Sequence, residues 1–334
     1  MRLINHIIIL AAACICSMPA IAQTWLPDSL GADFQMRYVT QPSDRFGAER
    51  CTIMRDTATT AGSKRGILYI HGFNDYFFQK EMAEKFVSQG YNFYAVDLRR
   101  YGRSIIPGQR PFDVRSLDEY FPDIDSALTV MQHTGLTDIT LMGHSTGGLI
   151  ATYYMLKHPD APVRQMILNS PFLDWNLGRI EWLVPVVSAI GAVFPEMKIS
   201  QGDGTVYGQS LDSLFHGEWN YNRAWKMHRS PDVTAGWVRA IDRAQRFIDS
   251  HQMEIRIPVL LMCSTASYYG DDWTEDAQYR DAVLDVNDIV RIGTRLGRHV
   301  TLVRVEGGMH DLFLSSRPVR TALYRYVFKW LSNH

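Results

Sequence analysis

Residues 139–148 read Ile139-Thr140-Leu141-Met142-Gly143-His144-Ser145-Thr146-Gly147-Gly148, and the chain continues with the apolar, helix-forming run that ends near His158. Ile139 to Met142 has the length and apolar character of a strand buried on both faces, and Thr146 to His158 has the pattern of a helix. Between them stands Gly143-x-Ser145-x-Gly147, a G-x-S-x-G sequence in the strand, turn, helix setting that gives it meaning. A serine there occupies a strained, tight turn, in which side chains two residues to either side would collide and glycine avoids the collision. The turn lifts the hydroxyl clear of the sheet, and the helix N-terminus behind it aims backbone N–H groups at developing negative charge. The plainer alternative, a glycine-rich turn that only packs helix on strand, accounts for the glycines alone.

Outward from this point the chain alternates short β-rich runs with longer helical patterns. Strands are expected over Gly66 to Ile70, Tyr91 to Val96, Ile139 to Met142, Gln165 to Leu168, Pro258 to Met262 and Val300 to Val305. Helices are expected over Lys80 to Gln89, Leu117 to Thr134, Thr146 to His158, Val286 to Leu296 and Val319 to Leu331. Such alternation predicts an α/β fold with a doubly wound, mostly parallel sheet. Residues 174–256 interrupt it with a stretch rich in Trp, Tyr and Pro, too long for a simple connection. Placed after the strand ending at Leu168, it reads as a helical lid or cap over the carboxyl ends of the strands, where open α/β sheets bind ligands.

Two further segments carry chemistry. His71-Gly72-Phe73 directly follows the strand ending at Ile70, about where such a sheet places the other half of an oxyanion hole. The backbone N–H groups of Phe73 and Thr146 are the expected donors, with His71 shaping the loop by hydrogen bonding. The turn Asp97-Leu98-Arg99-Arg100-Tyr101-Gly102-Arg103-Ser104 reads as scaffold. With Gly307-Gly308-Met309-His310-Asp311, these segments give the chain its likeness: over roughly residues 45 to 332 it resembles the α/β-hydrolase superfamily, in the branch of monoglyceride lipases, lysophospholipases and serine-aminopeptidase-like hydrolases. The resemblance implies a Ser, Asp, His triad in that chain order and hydrolysis of an ester or, less often, an amide. Ser145 is then the nucleophile and His310 the base.

The acid departs from the family pattern. After the strand Pro258 to Met262 the family expects Gly-x-x-Asp, and this chain has Ser264-Thr265-Ala266-Ser267, followed by an insertion, Tyr268 to Arg280. Asp281 is the expected acid, because Asp281 to Val286 has the apolar spacing that follows the family's aspartate and Asp281 lies 29 residues (310 minus 281) ahead of His310. Asp285 is the reserve, with Asp271 and Asp272 behind it. Trp219, Trp225 and Trp237, with Tyr207 and Phe215 nearby, read either as an acyl pocket or as the lid's own core.

Composition narrows the partners. Across 334 residues, 34 Lys plus Arg stand against 35 Asp plus Glu, for a formal charge of −1 with no basic run, so nucleic acid is not expected. Residues 1–22, with Arg2 ahead of the apolar run Ile7 to Ile15 and Ala20-Ile21-Ala22 at the end, read as a cleaved signal peptide. The expectation is an exported protein, periplasmic or extracellular, with no stable membrane span. A lipoprotein signal acylated at Cys14 or Cys16 is the competing reading, against which the residue three before Cys14 is small. Cys51 and Cys263 remain in the mature chain, as a pair or as buried free thiols. No spacing suggests a metal site or a phosphate-binding glycine loop, so no cofactor is expected. The reaction that follows is acyl transfer to water from a small ester or lipid substrate. An aminopeptidase using the same triad and a non-catalytic ligand-binding relative are the alternatives.

Overall fold

The computed structural model describes residues 24–57, 62–201, 204–250 and 253–334. The expected signal peptide lies outside these residues. In chain order the strands are β1 (Leu26–Asp28), β2 (Gly31–Asp44), β3 (Gly47–Asp56), β4 (Arg65–Ile70), β5 (Asn92–Asp97), β6 (Asp138–His144), β7 (Gln165–Asn169), β8 (Lys198–Ile199), β9 (Val233–Thr234), β10 (Val259–Ser264) and β11 (Val300–Val305). The helices are α1 (Lys80–Ser88), α2 (Phe121–His133), α3 (Thr146–Lys157), α4 (Val184–Val193), α5 (Val206–Leu211), α6 (Ala235–Asp249), α7 (Val286–Gly293) and α8 (Arg317–Leu331).

Nine strands form one sheet in the order β1-β2-β3-β5-β4-β6-β7-β10-β11. From β5 to β11 every neighbour is parallel, and β1, β2 and β3 add an antiparallel edge. All six expected strands are present, with ends shifted by at most two residues. The three N-terminal strands were not expected. Along β2 only Phe34 and Gln41 are fully buried, so a half-solvated edge strand lacks the continuous apolar signal of the central ones.

Alternation along the central strands divides the core into two layers. Ile67 and Tyr69 of β4 face Met82 and Phe86 of α1 and Tyr324 and Trp330 of α8, while Leu68 and Ile70 face α2, α3, α6 and α7 through Leu128, Leu149, Ile241 and Ile289. Burying both faces of a parallel sheet in this way fixes its register and points every strand's carboxyl end to one edge.

The segment 174–256 contains a 3-10 turn (Gly178–Leu183), α4, the small antiparallel pair β8 and β9, α5 and α6. Its last helix is built into the main core: Trp237, Ile241, Ala244 and Ile248 of α6 are buried there, and α6 is the crossover between β7 and β10. Cys51 on β3 and Cys263 on β10 are separate, buried free thiols, and burial pushes the Cys263 thiol up to about 12. Among the described residues no helix is long and apolar enough to cross a membrane, and no cluster of His, Cys, Asp and Glu has the form of a metal site.

Candidate active site

At the end of β6 the backbone turns sharply into α3, and Ser145 sits at the corner with φ 52° and ψ −119°. Non-glycine residues rarely adopt this conformation, so the surroundings must hold it. They do so through Ser145 N–H donating to Asn169 O (3.0 Å) and Ser145 O accepting from Phe172 N (3.0 Å) and Leu149 N (3.1 Å). The two motif glycines are required by space. A Cβ on Gly143 would lie 2.5 Å from Gly147 O, and one on Gly147 would lie 2.3 Å from His71 O and 2.4 Å from Ile70 O.

His310 follows β11 through the turn at Gly307, which has φ 70°. Its Nδ1 lies 2.9 Å from Asp281 Oδ2, and both side chains are buried, with Asp281 0% and His310 2% exposed. The other Asp281 oxygen accepts the N–H groups of Val283 and Leu284, each at 2.9 Å. A carboxylate held by two backbone donors has little rotational freedom. Bonded to Nδ1–H, it leaves Nε2 as the ring's lone-pair nitrogen, the one suited to accept a proton. The Asp281 and His310 pair lies beside the elbow: the His310 ring centroid is 4.8 Å from that of His144, next to Ser145. Among the described residues no hydrogen bond joins Ser145 to His310. That link is often long before substrate arrives.

The displaced acid has a structural explanation. The insertion 268–280 loops out and returns, so that Asp281 pairs alongside Ser267 in a short parallel bridge, with Asp281 N donating to Ala266 O (2.9 Å) and Tyr268 N to Asp281 O (2.7 Å). Ser267 Oγ donates to Leu284 O (2.9 Å) and accepts from Val286 N (2.9 Å), pinning the returning segment. Asp285 caps α7 through Asn287 N (2.8 Å), and Asp271 and Asp272 lie exposed in the insertion. Of the four candidate acids the structure brings only Asp281 to His310.

On the other side of Ser145, Gly72 is close enough that a Cβ on it would lie 3.2 Å from Ser145 Cβ, which sets the Gly72–Phe73 backbone against the elbow. His71 Nε2 accepts Leu98 N–H (3.1 Å), so Nδ1 carries the proton and donates to Gly72 O (2.8 Å). This imidazole shapes the loop. The Phe73 ring packs on Phe112 and Trp237, with centroids 5.4 and 4.9 Å away. Thr146 is the first residue of α3.

Beneath the site runs a buried polar network with no signature in local spacing. Asp311, the residue after His310, accepts from Asn169 Nδ2 (2.8 Å), Phe313 N (3.1 Å) and Gln79 Nε2 (3.2 Å), and Gln79 also donates to Tyr69 Oη (3.0 Å). His144 Nδ1 lies 3.2 Å from Asn169 O. Burial lowers the His144 imidazole below its ordinary range, and His310 adds to this against the opposing Asp311 carboxylate. Asn169 thereby joins the carboxyl end of β7 to both the elbow and the His310 turn. The only advance hint was Asp311's place after His310.

The turn after β5 is scaffold. Asp97 accepts from Phe77 N (2.9 Å) and Arg103 N (3.0 Å), and the Arg103 guanidinium bridges Asp97 and Asp28. Of the lid aromatics, Trp237 is core, and Trp219 and Trp225 pack around Tyr76, Phe78, Leu211 and Leu314. Tyr207 of α5 sets its ring edge-on to His310, centroids 5.2 Å apart.

The serine aminopeptidase S33 family of hydrolases matches residues 62–316. The probable lysophospholipase L2 of Haemophilus influenzae is 29% identical over 205 residues, 54% of this chain and 61% of that protein. An AB hydrolase superfamily protein of Bacillus subtilis is 35% identical over 111 residues, 33% of this chain and 38% of that one. The matches thus span less than two thirds of these relatives' length. Among solved structures, the monoacylglycerol lipase of Paleococcus ferrophilus superposes with a TM-score of 0.59 at 20% identity, covering 80% of this chain and 94% of that one. A soluble variant of Saccharomyces cerevisiae monoglyceride lipase gives 0.61 at 15% identity, covering 89% and 96%. At such identities the likeness concerns the fold, and the fold is theirs. The chain belongs to the serine aminopeptidase S33 family of hydrolases.

Proposed function

We propose that this protein is a serine hydrolase that cleaves carboxylic esters of the monoacylglycerol or lysophospholipid type through an acyl-enzyme on Ser145. The observation that carries the reading is the buried 2.9 Å contact between His310 and Asp281 beside the strained serine turn. In this mechanism His310 Nε2 takes the Ser145 hydroxyl proton as Oγ attacks the ester carbonyl. Asp281 holds the tautomer and stabilises the imidazolium, and the N–H groups of Phe73 and Thr146 receive the tetrahedral oxyanion. His310 then protonates the leaving alcohol. Water, deprotonated by the same nitrogen, releases the acid.

The segment 174–256 acts in this reading as the cap, bringing Tyr207 against His310. The ester preference comes from the relatives' names. A second reading, cleavage of an N-terminal amide, would need an acidic group to receive the amine; the cleft of about 310 Å³ lined by Asp174, Glu181 and Asp242 is not lined by Ser145 or His310, and its Asp174 and Asp242 are paired with Arg291 and Arg246. Glu218, also on the segment 174–256, is likewise committed to Arg320.

The test uses protein recovered from export, which on this reading begins at Gln23 when its N-terminus is sequenced. A fluorophosphonate probe labels the wild type and fails on Ser145→Ala, whose kcat on p-nitrophenyl esters falls by roughly 10⁴ to 10⁶ with its unfolding temperature kept. Turnover surviving in Ser145→Ala would sink the mechanism, and aminoacyl anilides outperforming every ester would move the substrate class to amides.

A further inference from the structure

Two residues beyond Phe73, the loop after β4 carries a buried carboxylate that the proposed mechanism does not use. Asp75 Oδ2 accepts the Gly72 N–H (3.3 Å), and its Oδ1 accepts Lys226 Nζ at 3.0 Å. Lys226 is only 6% exposed and comes from the segment between α5 and β9, 151 residues away in sequence. The contacts flanking the pair are equally specific. Asn74, held at φ 48°, gives Nδ2–H to Met227 O (2.7 Å) and accepts Met227 N–H (2.8 Å), and Tyr76 Oη accepts Asn222 N–H (2.7 Å). Residues 222–227 are thereby bolted to residues 74–76, one residue from the expected oxyanion donor.

Hydrogen bonds alone would fix this junction, so the presence of charge needs its own reason. Burial pushes the Asp75 carboxyl up, but the Lys226 ammonium together with His144 and His71 pulls the other way, and the group is held below its ordinary range and ionised. Around it stand His71 on its own loop, His144 at the end of β6, Tyr69 on β4, Tyr76 and Tyr207. His71 Nε2 accepts the Leu98 N–H, and Lys226 is the cation in direct contact with this carboxylate. A negative charge hydrogen-bonded to the Gly72 N–H opposes an oxyanion received at the neighbouring Phe73 N–H. Within about 6 Å and in a protein-like medium, one uncompensated charge changes a rate by on the order of a hundredfold.

We propose that Lys226 is an electrostatic positioning residue: seated with the cap, its ammonium cancels the Asp75 carboxylate in the oxyanion loop and makes that loop competent to receive negative charge. Lys226 touches no reacting atom. The inference rests on the acyl-transfer reading above, and it makes cap seating a condition for catalysis.

The experiment compares wild type, Lys226→Gln and Asp75→Asn/Lys226→Gln in the whole protein, on a p-nitrophenyl ester, after wild-type labelling at Ser145 has been checked. Lys226→Gln keeps a donor toward Asp75 but removes the charge; kcat falls by on the order of 30- to 100-fold while KM stays within about threefold. The double variant replaces the ion pair with a neutral amide pair and recovers kcat to within about fivefold of wild type. A merely structural role predicts kcat losses that track the unfolding temperature in both variants, whereas charge cancellation predicts a kcat loss in Lys226→Gln that exceeds what its unfolding temperature accounts for. The inference is overturned if Lys226→Gln keeps kcat within about threefold, or if the double variant is no faster than the single. Should Lys226→Gln not fold, the double variant decides alone: activity near wild type supports charge cancellation, and a loss beyond about tenfold overturns it. Failure of Ser145 to label removes the underlying reading instead.

Discussion

The elbow at residues 143–147 and the acid loop at residues 264–286 serve one proposed triad, but their geometry comes from different sources. At the elbow the demand falls on a few consecutive residues. A strand must pass into a helix with a serine at φ 52°, and Gly143 and Gly147 are the residues that leave room for it. The acid loop is decided at a distance. Ser267 stands where the family carries its aspartate, and thirteen inserted residues, 268–280, precede Asp281. The loop still delivers a carboxylate to His310, because Ser267 and Asp281 pair side by side and Ser267 Oγ holds the Leu284 and Val286 backbone. Sharp backbone requirements leave a sequence motif. A carboxylate needs only to arrive within hydrogen-bond reach of a ring nitrogen, and many chain paths achieve that.

The strongest way to break the comparison is to remove the arriving charge. Asp281→Asn keeps the side chain's volume but presents an amide that favours the wrong imidazole tautomer, and kcat falls by roughly 10⁴ with the fold intact. The same change at Asp285, which caps α7 and does not touch His310, leaves kcat within about threefold. Ester hydrolysis by both variants, with circular dichroism as the fold control, makes the measurement. If Asp285→Asn is the damaged one, the loop does not act as its geometry indicates.

Next comes the elbow. Gly147→Ala forces a methyl group against the carbonyl oxygens of His71 and Ile70 at 2.3 and 2.4 Å, both backbone atoms with no side-chain freedom to give way. Overpacking of this kind costs about 3 kcal/mol, and here it also drives β4 and the oxyanion loop away from Ser145. Urea unfolding and probe labelling check it together. A stable, fully labelled Gly147→Ala protein would show that the elbow is looser than its contacts require.

The same contrast explains what was legible in the sequence. The six central strands were found because burial on both faces makes them continuously apolar, and Ser145, His310 and Asp281 could be proposed because motif, chain order and spacing point at them. β1 and β2 were missed because a solvated edge has no such pattern, and β3 because its buried run, Cys51 to Met54, is short and flanked by Arg50, Arg55 and Asp56. The division of 174–256, with α6 in the main core, was hidden because α6 carries the same aromatic and apolar residues as the pieces before it. Asp75 with Lys226, and Asp311 with Asn169 and Gln79, were out of reach for a simpler reason. Each pair is joined by tertiary contact across 140 or more residues, and no local spacing records it.

Ser267 supplies the smallest and most discriminating test. Its hydroxyl bonds Leu284 O and Val286 N–H inside the protein, so Ser267→Ala leaves two buried backbone groups without that partner and costs about 1 to 3 kcal/mol. The side chain does not reach His310, so a direct part in the chemistry is absent, and any kinetic effect passes through the placement of Asp281. Placement is shared, since Ala266 O and Tyr268 N also hold the Asp281 backbone, while Val283 and Leu284 N–H hold its carboxylate. The expected result is a clear drop in the urea midpoint with kcat lowered only by about three- to tenfold. A loss as large as that of Asp281→Asn would mean that this single hydroxyl keeps the detour in register. An unchanged urea midpoint would mean that the bridge at Asp281 is sufficient without it, and that the serine merely fills the place the aspartate left.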